Sequence, residues 1–211
     1  PPMDLHLNMA IEATPVATMN IVMDPMSGDN ITATGTGHLQ VNFYNKGDFK
    51  IFGNYIIDKG MYKLSMQEVI RKDFILKQGG TVTFSGDPSL ANLDVQASYT
   101  VNSASLSDLG VGITTSRGGQ STVKVNCLMN LTGSISDPTI KFDLELPTLS
   151  EEDKEIVRSA TLTEEQMNTQ IIYLLGIGKF YTYDYANNAN TQSSSATSSL
   201  AFSTLSGQLN N

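Results

Sequence analysis

The sequence predicts an all-β protein with short helices near its C-terminus, and three observations carry that expectation. Apolar and polar side chains alternate at period two over most of the first 146 residues, the signature of half-buried strands. The periodicity changes to a helical one after Pro147. No segment approaches the ~20 consecutive apolar residues that a membrane-spanning helix needs.

The first strand carries Leu5, Leu7, Met9 and Ile11 on one side and Asp4, His6, Asn8 and Glu12 on the other. Met19, Ile21 and Met23 form a second, ended by Asp24-Pro25, and Leu39, Val41 and Phe43 mark a third. Two hairpins follow. Tyr55 and Ile57 lead into a predicted Asp58-Lys59-Gly60 turn and return through Tyr62, Leu64 and Met66. Phe74 and Leu76 lead into Gln78-Gly79-Gly80 and return through Val82 and Phe84. Glycine at such places supplies the positive φ that a chain reversal needs. Longer strands run over Leu93–Val101, Val123–Leu131 and Ile140–Leu146, with Ser103 to Ser121 read as a mobile Ser/Gly-rich loop. A weak repeat appears where Gly86-Asp87-Pro88 and Gly133 to Pro138 each separate two alternating strands. Two generic turns are the favoured explanation, with one structural unit used repeatedly along the sheet as the alternative.

Beyond Pro147, Thr148-Leu-Ser-Glu151 has the form of a capping box, and Thr163-Glu-Glu-Gln166 is a second. The second opens a helix with Met167, Ile171, Leu174 and Leu175 on one face, stopped by Gly176 and Gly178 and expected to cap an end of the sheet. The organisation expected is therefore a β-strand region over 1–147, a helical cap over 148–180, and a polar linker and tail over 181–211. In the tail, Leu200, Phe202 and Leu205 form one last weak apolar cluster.

Net charge of −8 argues against nucleic acid and against electrostatic docking on anionic head groups. Cys127 is the one cysteine, so no internal disulfide exists; flanked by Val125 and Met129 in alternation, it reads as a small core residue. His6 and His38 occupy polar strand positions with no ligand at metal spacing, so zinc is not expected. Asp94, Asp143 and Glu145 read as the wet side of strands, and nothing selects an acid/base pair. Gly176-Ile-Gly178-Lys179 ends a helix, where a phosphate loop would begin one. No enzyme and no cofactor is expected. The chain opens in mid-alternation with no signal peptide, which reads as a piece of a longer protein.

Several of these segments carry a family likeness. Gly53-Asn-Tyr-Ile-Ile-Asp-Lys-Gly60-Met-Tyr-Lys-Leu64, then Phe74 to Pro88, resembles the C-terminal domain of the TamB family, the inner-membrane-anchored subunit of the translocation and assembly module. Leu93 to Ala97, Gly133 to Phe142, Leu146-Pro147 and Leu174-Leu175-Gly176 are similar to its later landmarks. The likeness runs from about Gly53 to Phe180; the tail after Asp184 is not part of it. On periodicity alone, the alternating faces would close into a two-sheet sandwich. The resemblance implies instead an elongated, curved β-sheet folded into a taco-like groove with an apolar interior, akin to bridge-like lipid-transfer proteins. It also implies a periplasmic location, as part of an inner-membrane-anchored, envelope-spanning protein.

Three functions follow. In the first, the groove shields phospholipid acyl chains in transport between the inner and outer membranes. Its wall would be Leu39, Val41, Phe43, Ile51, Ile57, Leu64, Val82, Phe84, Val95, Tyr99, Phe142 and Leu144. Met9, Met19, Met23, Met61, Met66 and Met129 would add an adaptable lining. In the second, an edge strand pairs with a barrel strand during outer-membrane protein assembly and secretion. Contact with an outer-membrane barrel of the Omp85 type would fall mostly to regions outside this chain. The third is a plain structural β-domain.

Overall fold

The computed structural model describes residues 2–110 and 122–183. Its nine strands are β1 (His6–Ala13), β2 (Thr18–Asp24), β3 (Asp29–Tyr44), β4 (Phe49–Met66), β5 (Ile70–Leu76), β6 (Thr81–Gly86), β7 (Asn92–Ser105), β8 (Thr122–Ser134) and β9 (Asp137–Glu145). Two helices follow, α1 (Glu151–Ser159) and α2 (Glu164–Ile177). The strands form one sheet in the order β1-β3-β4-β5-β7-β8-β9, with β2 also paired to β3 and β6 to both β4 and β7. The all-β class with short C-terminal helices is as the alternation predicts. Two compact units make up the chain: Pro1–Ser98 with Met129–Lys141, and Tyr99–Leu128 with Phe142–Asn211. β7, β8 and β9 each give one part to either unit.

In the first unit, neither predicted reversal around the paired glycine motifs is a hairpin. β4 runs unbroken from Phe49 to Met66, and Asp58-Lys59-Gly60 sits inside it as a bulge. Thr34 faces Lys59 while Gly35 faces Ile57, so Asp58 is the extra residue. One extra residue flips every later side chain to the other face. Inward positions accordingly change from Tyr55 and Ile57 to Tyr62, Leu64 and Met66, a parity switch that mimics a turn in the sequence. The real reversal is at Gln67 and Glu68, non-glycine residues at φ 52° and 60°. Likewise β5 and β6 do not pair with each other. They lie end to end against β4, interrupted at Lys77–Gly80, where Gly79 takes φ 95°.

These irregularities fall on one line across the first unit. β1 and β2 lie end to end against β3; from Ala13 to Thr18 that row advances five residues while β3 passes three, Gly37 to Thr34. From Leu76 to Thr81 the β5–β6 row advances five while β7 passes three, Ala97 to Asp94. Between them lies the Asp58 bulge, and Gln78 Nε2 donates to Asp58 Oδ1 at 2.9 Å along the same line. Bulges bend strands and raise local twist, so aligned bulges crease a sheet.

The repeat gains physical content. The turns after Gly86 and Gly133 lie side by side: Ile135 N–H donates to the Ala91 carbonyl and Ser136 N–H to that of Ser89, both at 3.0 Å. Asp87 caps the first turn by accepting from Ser89 N–H at 2.9 Å. The two turns differ in local form: a 3-10 turn over Pro88–Leu90 follows Gly86 at φ 135°, whereas Gly133 holds φ 79° before a short turn.

The second unit departs from expectation in two places. Ser103–Ser105 extend β7 and a 3-10 turn follows over Leu106–Leu109 with both leucines buried, so the first part of the predicted mobile loop is packed; 111–121 lie outside the described residues. Helix α1 is capped by Ser150, whose hydroxyl accepts from Asp153 N–H at 3.2 Å, two residues beyond the predicted Thr148. Ser150 wins because a cap must reach the N–H three residues on, and Glu151 to Asp153 then fill the positive first turn. The Thr163–Gln166 box has both arms, and Gly178 at φ 70° ends α2. Leu200, Phe202 and Leu205 lie outside the described residues.

Candidate functional site

Strand pairing gathers many apolar side chains of the first unit on one face of its sheet, while Phe52, Ile56, Met61 and Ile75 lie exposed on the other. Register places Leu7 opposite Phe43, Met9 opposite Val41 and Ile11 opposite Leu39. Across β3 and β4, Val41 faces Ile51 and Phe43 faces Phe49. Tyr55 then faces Val82, and Val82 faces Leu93, with Val95 two residues on. Directly paired residues share a face. Nine of the sequence-selected residues, Leu39, Val41, Phe43, Ile51, Ile57, Leu64, Val82, Phe84 and Val95, therefore lie together on it.

That face has a closed part and an open part. Ile57, Leu64, Val82 and Val95 are withdrawn from solvent, as are Ile31, Tyr62 and Phe74. Leu39, Phe43, Ile51 and Phe84 are half-buried. Leu7, Met9 and Ile11 stay 41–43% exposed and Phe49 45% exposed, although they belong to the same apolar row. Of these four, sequence reasoning named only Met9, as part of the adaptable lining, and left Leu7, Ile11 and Phe49 out. Leu7 and Ile11 could have been found from their alternation, but exposure depends on β1 being an edge strand, paired to β3 alone among the described residues. Met61, expected in the lining, stands on the opposite face, 44% exposed and paired with Ile75, because the Asp58 bulge reverses the parity beyond it.

In the second unit, Tyr99 and Leu144 are half-buried and Phe142 is buried. The polar side of its strands is marked by Thr100 Oγ1 donating to Asn126 Oδ1 at 2.8 Å and Asn126 Nδ2 donating to Glu145 at 2.9 Å. Tyr99, Phe142 and Leu144 take the opposite parity, with Val123, Val125 and Cys127. Burial pushes the Cys127 thiol up to about 12, which keeps it an unreactive core group at neutral pH.

The polar groups do not converge as a reactive site would. His6, His38, Asp94, Asp143 and Glu145 are exposed, as strand parity predicts. Among the described residues no three His, Cys, Asp or Glu side chains group as metal ligands. A hollow of about 370 Å³ lies at the β3–β4 turn, lined largely by polar residues, where His6 stacks on Tyr44 at 4.1 Å. The one buried carboxylate of the first unit, Asp29, accepts from Ser65 N–H at 2.8 Å and from Tyr62 OH at 3.2 Å. These bonds tie the start of β3 to the end of β4.

Burial holds the Asp29 carboxyl above the usual carboxylate range, outweighing the hydrogen bonds that lower it. A raised carboxyl keeps its proton longer folded than unfolded, so its contribution to stability is greatest below the unfolded pKa and falls as pH rises through the folded one. Asp29→Asn should remove that slope. Urea midpoints between about pH 4 and 7 will show wild type losing ground to the variant as pH rises; parallel curves would mean that Asp29 does not titrate differently on folding.

No curated protein sequence matches the chain. A family model does, that of the TamB C-terminal domain, over residues 1–211, which extends beyond the Gly53–Phe180 stretch whose motifs carry the likeness to both ends of the chain. The glycines of those motifs have structural roles: Gly60 lies inward against the Thr32 carbonyl, Gly53 and Gly86 hold φ of 128° and 135°, and the Gly86 and Gly133 turns stack. With an antiparallel sheet that gathers many of its apolar alternate residues on one face and a family match over its whole length, the chain belongs to the TamB C-terminal domain family, part of an envelope translocation and assembly system.

Proposed function

We propose that the apolar sheet face shields phospholipid acyl chains from water in transport between the inner and outer membranes, and so supports outer-membrane biogenesis. The carrying observation is the open row of Leu7, Met9, Ile11 and Phe49, which continues the closed apolar face but keeps over 40% of each side chain in solvent. Apolar surface of this kind, in register over adjacent strands, asks for a cover.

The energetics suit a conduit. A buried methylene is worth ~0.8 kcal/mol, so twelve would gain roughly 10 kcal/mol over water. A bilayer offers about the same, which makes exchange between membrane and groove near neutral. The groove then protects without trapping. In this reading the chain works in the periplasm as part of an inner-membrane-anchored protein, and it carries no catalytic centre or cofactor. An Omp85-type barrel is the outer-membrane partner.

The test is mass spectrometry of lipid extracted from chain purified without detergent. Wild type should carry phospholipid. Ile11→Asp, at an exposed position, should fold normally and lose most of it. Val95→Glu is the contrasting variant: its site is buried, and an unpaired charge there costs several kcal/mol and should prevent folding. A lipid-free wild type, or an Ile11→Asp variant that keeps its full load, would refute the reading.

A second reading has its own observation. β1 is eight residues long, contains no proline and has one partner among the described residues, so its outer backbone is open to strand addition. A scaffold of that kind would lose its barrel partner when proline enters β1, and would keep its lipid.

A further inference from the structure

We propose that the first unit also docks on bilayer surfaces directly, by inserting Met26 and Val69 from two neighbouring turns at one end of its sheet. The β2–β3 and β4–β5 turns leave the sheet at the same end. Asn30 pairs with Lys63, and Ser65 N–H reaches the Asp29 carboxylate just before the second turn begins. With strands ~4.8 Å apart, tips separated by two strand spacings stand about 10 Å apart.

Each tip carries one almost fully exposed apolar residue, Met26 at 97% and Val69 at 86%. Polar side chains were available in both turns, at Ser27 and at Gln67 and Glu68, and turns ordinarily favour them. The backbone at both tips is also held in place. Met26 N–H donates to Asp24 Oδ1 at 2.9 Å, and Gly28 N–H closes the same turn on the Asp24 carbonyl at 2.9 Å. Val69 N–H donates to the Met66 carbonyl at 3.2 Å. A residue entering a lipid interface gains most when its backbone N–H is already satisfied, since apolar surroundings offer no replacement partner. Here that condition holds for both.

Charge selects the kind of surface. Near the tips Lys63, Arg71 and Lys72 oppose Asp24, Glu68, Asp73 and the buried Asp29, so positive and negative groups nearly balance at this end of a chain of net charge −8. Docking should therefore be apolar, insensitive to salt, and supported by zwitterionic lipid. A second copy of the chain fits less well, because two side chains 10 Å apart cover far less than the ~1,600 Å² of a standard protein interface. The proposal does not depend on the groove carrying acyl chains.

The experiment is co-sedimentation of the full 211-residue chain with vesicles of phosphatidylcholine and phosphatidylethanolamine. Wild type should bind equally at low and high salt. The double variant Met26→Ser, Val69→Ser should partition at least about tenfold less, with an unchanged circular dichroism spectrum. Leu90→Ser, an exposed leucine on a different turn, should bind as wild type does. In a separate variant, Met26→Trp, the indole emission should shift to the blue when vesicles are added. A wild type that stays in the supernatant, a double variant that binds undiminished, or equal loss in Leu90→Ser would overturn the proposal. Lipid extracted from the double variant reads the groove separately: it should match wild type if the two surfaces act independently.

Discussion

Replacing Gly53 with alanine should lower the stability of the first unit by about 2–5 kcal/mol, because the added methyl group meets backbone strain and a steric clash together. Gly53 holds φ 128°, a conformation in which side chains are strained. A Cβ there would also press on the His38 carbonyl oxygen and approach Leu39 Cδ2 at 3.2 Å. The carbonyl does not yield easily, because it is backbone of the paired strand. Gly79→Ala is the informative comparison. Its φ is 95° but a Cβ would meet nothing within 4 Å, so only the backbone strain remains, about 1–2 kcal/mol. Chemical denaturation of both variants checks the difference. Equal losses would mean that β3 moves aside at Gly53.

The second large effect lies in the other unit, at a glutamine. Gln170 is completely buried in α2, and its amide makes a two-way bridge to the backbone of Tyr181: Nε2 donates to the carbonyl at 3.1 Å, and Oε1 accepts from the N–H at 2.8 Å. The bridge anchors the segment after α2, where Tyr183 N–H reaches the Leu109 carbonyl at 3.1 Å and the Tyr173, Tyr181 and Tyr183 rings pack in series. Gln170→Glu puts a carboxylate oxygen against the Tyr181 carbonyl in a buried site. At neutral pH it should cost about 3–5 kcal/mol. Protonating the new acid restores a donor, so the loss should shrink in acid and grow as pH rises through the raised pKa of the buried carboxyl. Thermal melts across pH, with hydrogen exchange at the Tyr181 amide, test both parts. A pH-independent loss would refute the account.

Much of the fold was legible because strand parity is a property of short segments. The faces of β1, β3, β7 and β8 follow from alternation alone, and so do exposed His6 and His38 and buried Cys127. The misreadings share one cause. Asp58-Lys59-Gly60 and Gln78-Gly79-Gly80 have the composition of hairpin turns, yet one is a bulge and the other a break between end-to-end strands, because strand pairing outside those residues decides which. Gln170 gave no signal at all, since a buried amide looks like any surface glutamine until its partner eleven residues on is placed. For the candidate site, membership of the apolar face was readable, but the split into closed and open parts was not. Ile11 and Val95 look alike in sequence; one lies on an edge strand and the other beneath covered neighbours.

The line of surplus residues through Thr14–Ala17, Asp58 and Lys77–Gly80 divides the first unit into two panels with independent tolerances. Slack stored there can absorb a gained or lost residue before the mismatch reaches the pairs on either side. On one side of the line Ile31, Tyr62 and Phe74 are sealed, while on the other Leu39, Phe43 and Ile51 are only half-buried beside the exposed row of β1. In the proposed shielding role, that division would let the half beside β1 adjust to a guest while the sealed half keeps its pairing.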